Sequence, residues 1–137
     1  MTAAARPYAL PIRVYYEDTD AAGVVYYANY LKYLERARTE WLEHHALPLP
    51  ELERSHGVVF VVTRAEIDFR GAARLGDRLE ATVAFAPGGR ARLDAHQTVQ
   101  RDGELLVDAR IRLACLAREG WKPARVPPEL ARLLEPR

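Results

Sequence analysis

Sulfur and side-chain amides are scarce in this chain of 137 residues, which has one cysteine, one methionine and one asparagine. A single thiol excludes an internal disulfide. Cys115 falls in the alternation Ile111, Leu113, Cys115, the place of a small core residue rather than of a nucleophile. Lysine is nearly missing too, because the twenty basic residues divide into two lysines and eighteen arginines. Few thermolabile residues fit a heat-tolerant protein, and the arginine bias fits a genomic habit equally well. Neither sign of charge dominates: the formal net charge is +1, without the clustered basic surplus that nucleic acid selects. No apolar run approaches the roughly 18 residues of a membrane span. The start of the chain has no apolar stretch followed by a cleavage site. What remains is a soluble globular protein, expected in the cytoplasm, with no membrane span and no nucleic-acid partner. A length of 137 residues with 49% apolar side chains suits a single domain, 1–137, around one core.

The chain is organised around Tyr15 to Trp41. Residues Tyr8 to Asp18 alternate as a strand, with Ile12, Val14 and Tyr16 on one side; Pro11 makes its start an edge. Thr19 to Gly23 is a turn. From Tyr30 the apolar residues fall at Tyr30, Leu31, Leu34, Ala37, Trp41 and Leu42, the spacing of a helix with one buried face running to His45. Glu51 to His56 makes one more short turn. After Gly57 the period becomes two. Val58 to Val62 is an apolar run expected to be covered on both sides, and it continues as alternation to Phe69. Leu79 to Phe85, Ala91 to Arg101 and Glu104 to Ala117 form a meander, with turns at Gly88-Gly89 and Asp102-Gly103. Pro128 opens a terminal helix to about Leu134. The order strand, long helix, four strands gives an α+β domain with one antiparallel sheet. Such a sheet keeps two edges and an incompletely covered face, which edge-to-edge pairing with a second copy resolves.

Chemistry is expected where Asp20 precedes the helix, because a carboxylate and unpaired backbone N–H groups come close together there. The cluster Glu17, Asp18, Asp20 and Gly23 is not a calcium loop: counting from Asp18, position five is Ala22 and position twelve is Asn29. His44 and His45 are adjacent on a helix and point apart, and His56 and His96 have no close partner, so no zinc set forms. Asp20 stands too far from the periodic helix to be a simple cap. Ala21, Ala22 and Gly23 leave room for a substrate, and Tyr16, Tyr26, Tyr27 and Tyr30 supply an aromatic wall.

The segment YEDTDAAGVVY (Tyr16 to Tyr26), followed by Ala28-Asn29-Tyr30-Leu31 and ERARTEWL (Glu35 to Leu42), resembles the hot-dog-fold acyl-CoA thioesterases of the 4-hydroxybenzoyl-CoA thioesterase superfamily. Within that family the likeness is nearest to the bacterial short-chain acyl-CoA thioesterases associated with the Tol–Pal system. The resemblance implies a long central helix wrapped by a five-stranded antiparallel sheet, paired into dimers and often tetramers, with the active site at the dimer interface. It places Asp20 at the catalytic aspartate position and the backbone N–H of Tyr27 against the thioester carbonyl. Tyr16 matches a tyrosine near the site. Gly23, Val24, Tyr26 and Asn29 of the same motif are expected beside the substrate. Many Tol–Pal-type enzymes have histidine at the position of Tyr27, whereas the hydroxybenzoyl type has tyrosine.

Thioester hydrolysis needs a nucleophile or an activated water together with an oxyanion stabiliser; a carboxylate and helix-end N–H groups supply both. No metal or other cofactor is expected, since coenzyme A is part of the substrate. Its phosphates suit arginine, and Arg64, Arg90 and Arg92, with Arg70 and Arg74, lie in or near sheet-edge loops. The expected function is hydrolysis of a short-chain or aromatic acyl-CoA. The alternative is a non-catalytic acyl-CoA or acyl-carrier-protein binding module. A hot-dog dehydratase would want a histidine in the helix-entry motif, and there is none.

Overall fold

In a computed structural model describing residues 7–135, strand β1 (Tyr8–Arg13) is followed by helices α1 (Asn29–His44) and α2 (Leu49–His56). Four strands come next: β2 (Val58–Phe69), β3 (Arg78–Pro87), β4 (Arg92–Arg101) and β5 (Glu104–Ala117). A terminal helix, α3 (Pro128–Leu133), ends the described chain. The outermost residues of the expected 1–137 domain lie outside the described range. The five strands form one antiparallel sheet in the order β1-β3-β4-β5-β2, and α1 lies across its inner face. This is the α+β hot-dog arrangement. No helix among the described residues is long and apolar enough to cross a membrane.

The helix is held by its apolar stripe. Tyr30, Tyr33, Leu34, Ala37, Trp41 and Leu42 are buried, and each large side chain among them contributes about 1.5–3 kcal/mol by leaving water. Leu31, expected on this face, is 46% exposed, while Tyr33 is fully buried. The 3.6-residue period puts 30, 33, 34, 37 and 41 on one side and turns position 31 about 100° away. Trp41 packs edge-on against Phe85 of β3 and against the ring of His45. The helix therefore runs from the end of the sheet where β3 begins toward the end where β3 finishes.

Two other expectations need correction. The first strand stops at Arg13, because Val14 turns inward to exchange hydrogen bonds with the loop at Gly76 and Asp77. Tyr16 to Asp18 then form a single 3-10 turn, and Tyr16 is exposed rather than facing inward beside Ile12 and Val14. Val58 to Val62 is not covered on both sides within one chain: β2 is the edge strand, and Val62 is half exposed. The Asp102-Gly103 hairpin forms as expected, with positive φ at both residues, as a two-residue turn between twisted strands requires. Cys115 is buried, and desolvation pushes its thiol up to about 11, in keeping with a core role.

Candidate active site

The acid loop is a small hairpin of its own. Thr19 pairs with Val25, the Asp20 N–H donates to Val24 O at 2.9 Å, and the Gly23 N–H returns to Asp20 O at 2.9 Å. Gly23 has φ +82 with open space where a Cβ would stand, so glycine is needed there for its backbone conformation and not for room. One carboxylate oxygen of Asp20, Oδ1, accepts the Ala22 N–H at 2.9 Å. The other has no hydrogen-bond partner among the described residues and faces solvent.

The loop is fastened on two sides. Toward the helix, the carbonyl of Asp18 accepts both the Tyr26 N–H and the Asn29 side-chain amide at 2.9 Å each, so Asn29 ties the loop to the first residue of α1. Toward the sheet, Val24 bridges to Arg74 and the Val25 N–H donates to Ala73 O at 2.8 Å. Residues 72–77 are braced in turn. Asp77 Oδ2 accepts from the Arg74 N–H at 2.9 Å and from Arg101 Nη1 at 2.7 Å; Arg101 also donates to Ala72 O and to Glu104. The Arg74 N–H first, and then Arg101, hold the Asp77 carboxyl below its usual range. The Tyr30 hydroxyl accepts the Ala73 N–H at 3.0 Å, which turns this tyrosine away from the aromatic wall expected around Asp20.

The helix start is uncapped. Ala28 is its N-cap and offers no side-chain acceptor. Among the described residues the N–H groups of Tyr27 and Ala28 donate to nothing. Asp20 does not cap the helix either, since its carboxylate is engaged by Ala22. The result is a short loop that presents a carboxylate with one free oxygen and an electropositive helix end, an arrangement suited to a developing oxyanion. The exposed rings of Tyr26 and Tyr27 pack together at 5.1 Å, and Phe69 from the end of β2 meets Tyr27 edge-on at 5.9 Å.

The arginines divide. Arg74 is part of the bridge to Val24, and Arg70 lies just beyond Phe69, so both are at the loop's end of the sheet. Arg64 is mid-way along β2, beside Glu66 at 3.4 Å. Arg90 and Arg92 occupy the opposite end, where Arg92 Nε donates to Gly88 O. The ten residues of β3 separate that turn from the acid loop, about 30 Å of strand. One chain does not bring Arg90, Arg92 and Asp20 together.

A match to the thioesterase-like superfamily extends over residues 14–134. The chain belongs to that superfamily. This thioesterase is 39% identical over 118 residues to the acyl-CoA thioester hydrolase YbgC of Escherichia coli O6:H1, a match spanning 85% of this chain and 87% of the relative. Its fold is similar to the crystal structure of a 1,4-dihydroxy-2-naphthoyl-CoA thioesterase from Synechocystis, with a TM-score of 0.87 at 26% identity, covering 94% of this chain and 96% of that one. It is also similar to a hypothetical protein from Thermus thermophilus, with a TM-score of 0.83 at 34% identity, covering 92% and 95% of the two chains.

Reading the sequence missed one polar pair. Arg38 donates to Gln97 Oε1 at 2.8 Å, and Gln97 is fully buried. The signal was present: Arg38 interrupts the helix stripe between Leu34 and Trp41, and Gln97 interrupts the inward series Leu93, Ala95, Val99.

Proposed function

We propose that this thioesterase, a single hot-dog domain, hydrolyses acyl-CoA thioesters with a short-chain or aromatic acyl group. Asp20 acts as nucleophile or general base, and the Tyr27 N–H receives the carbonyl oxygen. The observation that carries the reading is the pairing, on one short loop, of a carboxylate oxygen without a partner and two N–H groups without acceptors among the described residues. In the direct route Asp20 Oδ2 bonds to the acyl carbon, the C–S bond breaks to release coenzyme A thiolate, and water cleaves the anhydride. In the base route Asp20 takes a proton from water as the water oxygen adds to the same carbon; the C–S bond then breaks, and the thiolate leaves and takes up the proton. Thiolate leaves readily, so neither route asks for a metal or a redox group.

The site is completed by a second copy. Strand β2 is twelve residues long and has one open side. Antiparallel pairing of two β2 edges about a two-fold axis sets the acid loop of one subunit beside the far end of the sheet in the other. That geometry would carry the other subunit's Arg90 and Arg92, with Arg64, toward the coenzyme A phosphates of a thioester held at Asp20. Tyr16, Gly23, Val24 and Tyr26 then line the seam rather than open solvent. Because coenzyme A esters are intracellular metabolites, the enzyme belongs in the cytoplasm.

The test is Asp20→Asn assayed on a panel of acyl-CoA esters with a thiol-detecting reagent. Turnover is expected to fall by about 10²–10⁴, with fold and oligomeric state unchanged. Near-wild-type turnover would remove Asp20 from the mechanism. Saturable ester binding by the wild-type protein without thiol release would replace the enzyme with a binding module.

A further inference from the structure

At the far end of the sheet, between α1 and the inner faces of β2 to β5, lies a cavity of about 220 Å³. Its walls are apolar, with Leu42, Phe60, Phe85 and Leu113 among them, except along α1, where Glu35, Arg38 and Thr39 reach it. A cavity of about 150 Å³ is enough to take up a benzene ring, so this one holds a ring or a short chain with a substituent to spare.

Arg38 is what makes the cavity unusual. Its Nη1 is fixed by Gln97, whose own amide nitrogen is fully used on Leu34 O and Thr82 O, so the guanidinium is held in one orientation. Among the described residues Arg38 makes no other hydrogen bond and no ion pair within 4.0 Å. Burial lowers its hold on the proton, and the nearby Glu35 carboxylate only partly offsets this. A guanidinium remains charged there, and a desolvated charge without a full set of acceptors is costly. The edge formed by Nε and Nη2 is the fork that binds a carboxylate through two parallel bonds.

The cavity also faces the right way. Val62 stands both on its wall and, half exposed, on the open β2 edge, so its mouth opens at the seam of the proposed dimer. The antiparallel pairing argued above places the other subunit's acid loop at that mouth. We propose that the cavity receives the acyl group of the thioester and that Arg38 selects acyl groups ending in an oxygen acceptor, a carboxylate foremost. This inference rests on the hydrolase reading and on its two-fold seam. Gln97 is the positioning residue for Arg38.

The experiment compares matched esters, hexanoyl-CoA with adipoyl-CoA and benzoyl-CoA with 4-hydroxybenzoyl-CoA, on the wild type and on Arg38→Met, which keeps the aliphatic stem. The expected result is at least a tenfold higher kcat/KM for adipoyl-CoA over hexanoyl-CoA in the wild type. That preference should collapse in Arg38→Met while hexanoyl-CoA changes less than threefold. A preference confined to the aromatic pair, and lost in the variant, would keep Arg38 as the selector but overturn the carboxylate in favour of a phenol. Equal rates within both pairs in the wild type, or a parallel fall of all four esters in the variant, would overturn the proposal. If no ester is turned over, the hydrolase reading fails separately, and calorimetric binding of the same pairs decides: tighter adipoyl-CoA binding that depends on Arg38 upholds the pocket, and equal binding overturns it.

Discussion

Strand β1 closes one side of the sheet with six residues and a proline near its centre, whereas β2 closes the other with twelve residues and no proline. The short strand passes directly into the acid loop, and the loop is fastened from within the chain, with Val14 bonded to Asp77, Val25 to Ala73, and Asn29 to Asp18, while one Asp20 oxygen and the Tyr27 and Ala28 N–H groups stay free among the described residues. The long strand leaves apolar side chains half exposed at Val62 and Phe69, and one row of backbone groups without partners. A proline and a short run are how a sheet discourages further pairing, and a long regular edge invites it. The difference teaches that the acid loop is held in place within one chain, whereas the β2 edge is left open in the form that the proposed two-fold pairing requires.

The largest effect should come from a matched pair of substitutions. Ala65→Lys puts a charge mid-way along the β2 edge, where a two-fold axis would set it against its own copy or in an apolar seam; such juxtapositions cost several kcal/mol. Light scattering is expected to show monomers, and thiol release should fall about a hundredfold at fixed chain concentration. Ala9→Lys, equally exposed on β1, is expected to leave assembly and turnover unchanged, within about 0.5 kcal/mol. If the two variants behave alike, the edges are not different in the way argued.

The self-contained side makes a smaller prediction that concerns stability and not assembly. Asp77→Asn weakens the brace to Arg74 and Arg101 and should cost about 1 kcal/mol. The Asp77 carboxyl titrates below its usual 3.8 in the folded chain. Its stabilisation is therefore fully present above that unfolded value and is lost as pH falls through the lower folded value. Melting curves below pH 4 should converge for wild type and variant, while light scattering at neutral pH is expected to give both the same oligomeric state. The smallest effect belongs to Tyr33→Phe. The Tyr33 hydroxyl is buried without a hydrogen-bond partner among the described residues, and burial, reinforced by the nearby Asp18 carboxylate, pushes the phenol above its ordinary range. Removing it should stabilise the chain by up to about 1 kcal/mol, read as a Tm that does not fall.

Most of the architecture was legible because period and turn chemistry agreed: alternation marked β2 to β5, and Asp102-Gly103 marked a hairpin that the backbone adopts. Alternation misled at Tyr16, because tertiary bonds from Val14 to the 76–77 loop end the strand three residues earlier. An apolar run does not say what covers it, so Val58 to Val62 was read as interior when one of its neighbours is a second molecule or water. The acid and the helix start were legible as neighbours; Arg38 and Gln97 each mark a break in an apolar series, but their pairing was not legible, because the two residues lie 59 positions apart on different elements.

The two tryptophans are placed so differently that they act as separate gauges. Trp41, between Phe85 and His45, emits from inside the packed layer, whereas Trp121 is already in water. Unfolding must therefore red-shift the emission of one indole against a nearly constant background from the other. The chain thus has a native optical report on core melting, which needs no attached dye.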